Sequence, residues 1–329
     1  MANMRVYITV DTETSLGGAW RNASYAPLPL DLTVFGKCGS QCFGIPLIMD
    51  ILEEFGFRAT FFTEVFCSAN VGIENLEKVF QCIQARGHDA QLHLHPVQRF
   101  YSSFLAGAAR REVDLMFQLP LAEQGELIRE GINLFQQLSG KLPRAYRAGC
   151  YGASEVTLKA LKTNGIEIDS SYNLAYLGTS CGFRTECLNA PTIIEGIYEF
   201  PVTVFHPVGS AGCKPLEISA VSVAEVMTAL QSLQRAGCRD IVLVLHSFSL
   251  LKNLGLRFEN RRPDRIVIRR LRNLCAALWK LKGEVDVCVL GEADLSCIQI
   301  PQPQMVPTVG WLQPPMRKFV QGFNLIPWV

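Results

Sequence analysis

Long apolar runs are missing from this sequence. Nowhere do about 18 consecutive apolar residues occur, the length a membrane-crossing helix needs, so no spanning segment is expected. Net charge is nearly missing too. The formal charge is +1, and no global field recruits nucleic acid or an acidic membrane surface. The first residues, Met1-Ala2-Asn3-Met4-Arg5-Val6-Tyr7, carry no basic n-region, long h-region or cleavage site. No secretory signal is read there, and a cytoplasmic protein is expected. Histidine is scarce, at five in 329 residues. Cysteine is not. Twelve are scattered through a chain too large to need disulfide staples, and they are expected as reduced thiols packed as small apolar groups. Cys38 and Cys42 form the one tight pair, and no second pair follows to complete a zinc pattern.

What is present is a core and a periodic order. With 49% hydrophobic residues, the chain can bury one large α/β domain or two small ones. Residues 4–10 read as a buried strand ending on Asp11-Thr12-Glu13, and residues 45–55 as an amphipathic helix stopped by Gly56. A strand over 58–63 and a helix over 73–86 follow. Next comes Gly87-His88-Asp89-Ala90-Gln91-Leu92-His93-Leu94-His95-Pro96, which holds three of the five histidines. In a strand, side chains alternate faces, so His93 and His95 point the same way with Cα atoms about 6.6 Å apart. Two imidazoles so spaced can converge on one divalent ion at about 2.0–2.1 Å each.

The alternation continues with helices over 121–139, 154–164, 223–236 and 263–281. Between and after them, strands are expected over 144–147, 166–172, 197–205, 241–245 and 285–290. Such order means parallel strands with right-handed crossovers. Polar groups recur at the C-terminal strand ends, namely Asp11, Glu13, His93, His95, Arg147, Asp169 and His246, the geometry of a barrel-type active site. Residues 14–44 form a connection long enough to be read as a lid or binding loop.

The ordered set resembles the polysaccharide deacetylase (NodB-homology, carbohydrate esterase family 4-like) superfamily over roughly residues 4–295. The matching pieces are Asp11-Thr12-Glu13, Ala59-Thr60-Phe61-Phe62 and Gly87-His88-Asp89 leading to His93. They continue with Tyr146-Arg147-Ala148-Gly149-Cys150-Tyr151-Gly152, Asp169-Ser170-Ser171, Glu199-Phe200-Pro201-Val202 and Leu245-His246. The resemblance implies an α/β fold, a distorted (β/α)7 barrel, over residues 1–297. It implies hydrolysis of an N-acyl group, acetyl above all, from an amino sugar of a glycan or glycan precursor, with a divalent ion and zinc the expected one. Carried over, it implies Asp11 as general base, Glu13 and His93 as metal ligands, Arg147 as the group orienting the base and His246 as general acid. The family's commonest form has its second histidine four residues after the first; that position is Val97 here, and His95 takes the role. His88 matches a residue that is more often structural than a ligand.

The chemistry stands on the residue types. A divalent ion held by one carboxylate and two imidazoles, with open positions, acidifies water and polarises an amide carbonyl. A neighbouring carboxylate takes the proton, and a histidine protonates the departing amine. Alternatives are a relative cleaving a non-sugar C–N bond and a catalytically inactive glycan-binding barrel. Residues 252–272 hold seven arginines, among them Arg257, Arg261, Arg262, Arg265, Arg269, Arg270 and Arg272. They read either as a solvated face or as a cradle for a phosphorylated leader group. The tail over 298–329, with six prolines and the aromatics Trp311, Phe319, Phe323 and Trp328, cannot be helical throughout and is expected to pack on the barrel or a partner.

Overall fold

The structure is a computed structural model and describes residues 3–310, apart from 253, 254 and 256. Strand β1 (Met4–Thr12) shows why the chain folds as it does. Val6, Ile8 and Val10 join the large apolar layer beneath the helices, whereas Tyr7 joins the barrel interior with Phe62, Ala145, Phe200 and Val242. One strand thus feeds two cores, the pattern of a sheet buried on both faces.

Six further strands run parallel to it: β2 (Thr60–Glu64), β3 (Asp89–Leu94), β4 (Ala145–Ala148), β5 (Ile168–Asp169), β6 (Ile197–Glu199) and β7 (Asp240–His246). Their order is β7-β1-β2-β3-β4-β5-β6, and β8 (Val285–Cys288) lies along the first half of β1. The chain beyond β6 returns to β7, where the Thr203 N–H donates to the Val242 carbonyl (3.2 Å) and the Val242 N–H to Thr203 Oγ1 (3.0 Å). The sheet is therefore curled into a distorted (β/α)7 barrel.

Helices α1 (Ile45–Glu53), α2 (Ile73–Ala85), α3 (Pro96–Leu105), α4 (Leu121–Ser139), α5 (Glu155–Thr163), α6 (Val223–Arg235) and α7 (Arg265–Lys280) connect the strands. Their ends follow local chemistry. Ser222 and Glu225 close a reciprocal capping box on α6 (2.9 and 3.2 Å). Asp264 accepts the Ile266 and Val267 N–H groups at the start of α7 (3.0 and 3.1 Å), each cap contributing about 1 kcal/mol. No helix among the described residues is long and apolar enough to cross a membrane.

Two expectations change. The strand expected over 166–172 is only Ile168–Asp169. Ser170 Oγ donates instead to the Phe200 carbonyl (2.8 Å) and Ser171 Oγ to Asp169 (2.7 Å), side-chain bonds that replace the ladder. The strand expected over 197–205 divides into Ile197–Glu199 and Val204–Pro207, because Pro201 has no N–H to give a ladder. In the arginine-rich segment, four of the seven arginines make bonds within the fold. Arg257 donates to the Gly17 and Ala26 carbonyls (3.1 and 2.7 Å), Arg261 to Lys37 (2.6 Å) and Arg270 to Ile218 and Ser219 (3.0 and 2.6 Å), while Arg272 pairs with Glu54 (2.9 Å). The first two clamp the long connection over 14–44 onto the body.

Residues 298–310 run back across the barrel, and Thr308–Val309 adds parallel to Val204–Pro207. The remainder of the expected tail, 311–329, lies outside the described residues. Near its start Gln302 Nε2 donates to Asp240 Oδ2 (2.6 Å). The buried Asp240 carboxylate also accepts Arg5 Nε (2.6 Å), Arg5 NH2 (2.8 Å) and the Tyr7 hydroxyl (3.1 Å), tying three distant segments together. Asp240→Ala leaves those donors unmatched and should cost about 3 kcal/mol, read as a lower urea midpoint with an unchanged slope.

Candidate metal centre and active site

The histidine strand behaves as its alternation requires. β3 ends at Leu94, and His95 is still extended (φ −107°, ψ 99°) as it caps α3. Both imidazoles therefore point into the barrel mouth, with ring centroids 4.9 Å apart. Glu13, just past β1, reaches them: its Oε2 lies 3.1 Å from His93 Nε2 and 2.6 Å from His95 Nε2. The three donor atoms lie within 4.8 Å of one another.

The far nitrogens of both rings are also fixed. His93 Nδ1 donates to the Arg147 carbonyl (2.8 Å), which leaves Nε2 as the atom presented to Glu13. His95 Nδ1 meets Asp114 Oδ2 (2.8 Å). Orienting partners of this type set ring direction and basicity in metal-binding histidines. The site's charges follow. Burial alone would raise Glu13, but the His95 charge and hydrogen bonds from both histidines hold it well below the usual carboxylate range, with His246 adding to the pull. Burial disfavours charge on His95, yet Asp114 and Glu13 on either side raise it well above the ordinary histidine value. Two imidazole nitrogens and one anionic oxygen, convergent and held from behind, are a donor set suited to a divalent ion.

Beside this cluster Asp11 makes a different contact. Its Oδ1 accepts Arg147 NH1 at 2.7 Å. Arg147 is fully buried, a large cost unless every donor is used. It donates also to Thr9 Oγ1 (2.9 Å), the Ser170 carbonyl (2.8 Å) and Ser170 Oγ (2.8 Å), and its guanidinium lies 4.3 Å from the centre of the Phe62 ring. His246 is the register partner of Asp11 across β1 and β7. Its ring packs on Phe248 (5.2 Å) and has no hydrogen-bond partner among the described residues. The structure thus brings together Asp11, Glu13, His93, His95, Arg147 and His246. His88 stands apart at the other end of β3, where it accepts the Ala59 N–H (3.1 Å) and contacts Glu53 (3.1 Å).

Two acids here escaped sequence reasoning. Asp114 sits in an irregular stretch 19 residues beyond His95, and no periodicity marks it. Glu64 ends β2 in register with His93 and accepts the Phe66 and Cys67 N–H groups (2.8 and 2.7 Å). An acid at the C-terminal end of a strand was a visible signal. The turn after β4 is equally specific. Cys150 and Tyr151 both have left-handed backbones (φ 54° and 60°), a strained conformation for non-glycine residues. A Cβ on Gly149 would fall 2.4 Å from His95 Nδ1, so only glycine lets this turn approach the ring.

Compared by sequence, the chain matches no family model and no curated protein. Compared by structure, it matches a provisionally designated polysaccharide deacetylase from Mycobacterium smegmatis, with a TM-score of 0.55 and 15% identity over 99% of this chain and 92% of that one. A 4-α-glucanotransferase from Thermococcus litoralis matches with a TM-score of 0.53 and 14% identity over 94% of this chain, but only 42% of that one. A family 4 carbohydrate esterase from Streptomyces lividans, solved with acetate, gives a TM-score of 0.44 and 12% identity over 87% and 93% of the two chains. The fold is a distorted (β/α)7 barrel, shared with the first two of these structures.

Asp114 provides the test of the donor set. Asp114→Asn should weaken divalent-ion affinity by about 10- to 100-fold without unfolding the protein, measured by competition against a chromophoric chelator. Unchanged affinity would remove Asp114 from the support of His95.

Proposed function

We propose that the chain is a divalent-metal-dependent hydrolase that removes an N-acyl group, acetyl in the first instance, from an amino sugar of a glycan or glycan precursor. The observation that carries this reading is the convergence of Glu13, His93 and His95 beside the Asp11–Arg147 pair. Glu13, His93 and His95 would hold the ion, zinc by the N and O character of the set; when bound, it would supply Lewis acidity toward water and an acyl carbonyl.

The chain's own residues supply the remainder. Asp11 accepts the proton of the attacking water, and Arg147 fixes the carboxylate in the orientation this requires. The second proton must reach the nitrogen, because an amide nitrogen does not leave as an anion. His246 is the group assigned to deliver it, a role supported by its register with Asp11 and by the absence of a side-chain hydrogen bond among the described residues. Water thus adds across the C–N bond, giving a carboxylate and an amine. All twelve cysteines are free thiols, including the exposed Cys42, Cys150, Cys187 and Cys297. That state suits a reducing compartment, and a cytoplasmic setting is part of this reading.

The deciding experiment is acetate release from a panel of N-acetyl sugars, free and nucleotide-linked, by metal-loaded protein. No release from any of them, with metal bound, would favour a non-sugar amide or a binding role. The roles of the two acids separate cleanly. Asp11→Asn should lower kcat by about 10²–10⁴ with metal content kept, whereas Glu13→Gln should lose the metal. The opposite pattern would exchange the two roles.

A further inference from the structure

Away from the metal-binding cluster, two carboxyl groups face each other with no cation between them. Asp169 and Glu199 end β5 and β6 as register partners, and both are 0% exposed. Asp169 Oδ1 accepts the Ser171 hydroxyl (2.7 Å) and Oδ2 the Ser171 N–H (3.2 Å), while Glu199 Oε1 accepts the Tyr172 N–H (3.0 Å). Glu199 Oε2 is buried with no donor among the described residues. As register partners at the ends of adjacent parallel strands, the two buried carboxyl groups stand side by side. Two ionised carboxylates so placed repel each other strongly in a low-dielectric interior. One shared proton relieves that repulsion and gives the orphaned oxygen a partner.

We infer that Glu199 is a buried carboxylic acid donating its proton to Asp169, and that this acid–carboxylate clip positions the Ser170 turn that seats Arg147 against Asp11. The chain of contacts is continuous. Asp169 and Glu199 hold Ser171 and Tyr172 on either side of the peptide groups that follow Ser170. Ser171 Oγ accepts the Ala148 N–H (2.9 Å), locking the turn onto β4. Ser170 then presents its carbonyl and hydroxyl to Arg147. The β5–β6 ladder pairs only two residues from each strand, so side chains must carry this junction.

The surroundings support a neutral Glu199. Burial, then the Asp169 charge, push it well above the ordinary carboxyl range. Arg147 acts on Asp169, but its donors are committed to Asp11, Thr9 and Ser170. The other titratable groups facing the pair are Tyr146, Tyr172 and Cys181, each raised by burial and hence uncharged. With Glu199 raised on folding, the folded protein binds the extra proton. This contribution is fully present below the unfolded carboxyl value of about 4.3 and is lost as pH rises toward the folded value.

The test uses the full chain with Glu199→Gln and Glu199→Met. Glutamine keeps a carbonyl for Tyr172 and offers N–H to Asp169; methionine fills the space and bonds neither. The infrared difference spectrum of wild type minus Glu199→Gln at neutral pH should show a protonated-carboxyl C=O stretch. The thermal midpoint of Glu199→Gln should rise relative to wild type as pH goes from about 5 to about 9. A featureless difference spectrum, or parallel pH profiles, would overturn the shared proton. Positioning is read at Arg147, whose Nε–H should exchange slowly with water in wild type and Glu199→Gln and at least about tenfold faster in Glu199→Met. Equal exchange in all three would overturn it, and Asp169→Ala serves the same comparison if Glu199→Met does not fold. The catalytic consequence alone rests on the hydrolase reading: kcat should fall about 10²-fold in Glu199→Met with KM little changed. If wild type has no hydrolase activity, that reading fails while the infrared, thermal and exchange results still decide the clip.

Discussion

The buried guanidinium of Arg147 is the constraint around which the barrel mouth is arranged. A cation withdrawn wholly from water is tolerated only where acceptors surround it. Here they come from two strands and the turn beyond a third: Asp11 and Thr9 from β1, the face of Phe62 from β2, and Ser170 after β5. Its own carbonyl holds His93. One residue therefore joins the carboxylate proposed for proton transfer and an imidazole of the candidate metal cluster. A substitution there would leave Asp11 without its partner, whereas the main-chain carbonyl that holds His93 is kept in any variant.

The parts of this arrangement legible in the sequence are those governed by period. His93 and His95 share a face because a strand alternates every residue, and that alternation outlasts the hydrogen-bonded strand by one position. Asp11 and His246 meet because each ends a long aliphatic strand, β1 and β7, paired without a slip over seven residues. What was hidden lies where period fails. Asp114 reaches His95 from irregular chain. The strands around Ser170 and Pro201 stop early because side-chain bonds and a missing N–H outweigh their apolar pattern. The arginines over 252–272 look alike in sequence, yet Arg257 and Arg261 spend their donors on carbonyls of the long connection. Only three-dimensional neighbours distinguish a staple from an anion site.

The turn after β4 shows how one strained element serves two sides of a site. Gly149 admits the His95 ring at close range. The left-handed Cys150 then sends its thiol to Asp114 (3.4 Å); the residue as a whole is exposed, but the protein packed around its sulfur pushes that thiol up to about 11. It stays a neutral hydrogen-bond donor to the acid that orients His95. The left-handed Tyr151 turns the other way and stacks on Tyr176, with centroids 5.6 Å apart. Strain of this kind persists only where the surroundings over-determine it, and here Phe117 N–H holds the Gly152 carbonyl just beyond (2.9 Å).

A barrel of this shape does not choose its chemistry, since structures named for deacetylation and for glucan transfer both match it. The side chains narrow the choice. Glycosyl transfer between two carboxylates needs one free to attack and the other protonated, about 5–5.5 Å apart across the bond. Glu13 has its Oε2 bracketed by two imidazole nitrogens and is held strongly ionised, unsuited to donate a proton. Asp11 is committed to the Arg147 guanidinium at 2.7 Å. With Glu13 held between two imidazoles and Asp11 held by Arg147, neither acid of this pair is free for the roles the glycosidase scheme requires. The proposed amide hydrolysis asks instead for a seat for a Lewis acid, a carboxylate base and an imidazole for the departing nitrogen, the roles proposed above for Glu13, His93 and His95, for Asp11 and for His246.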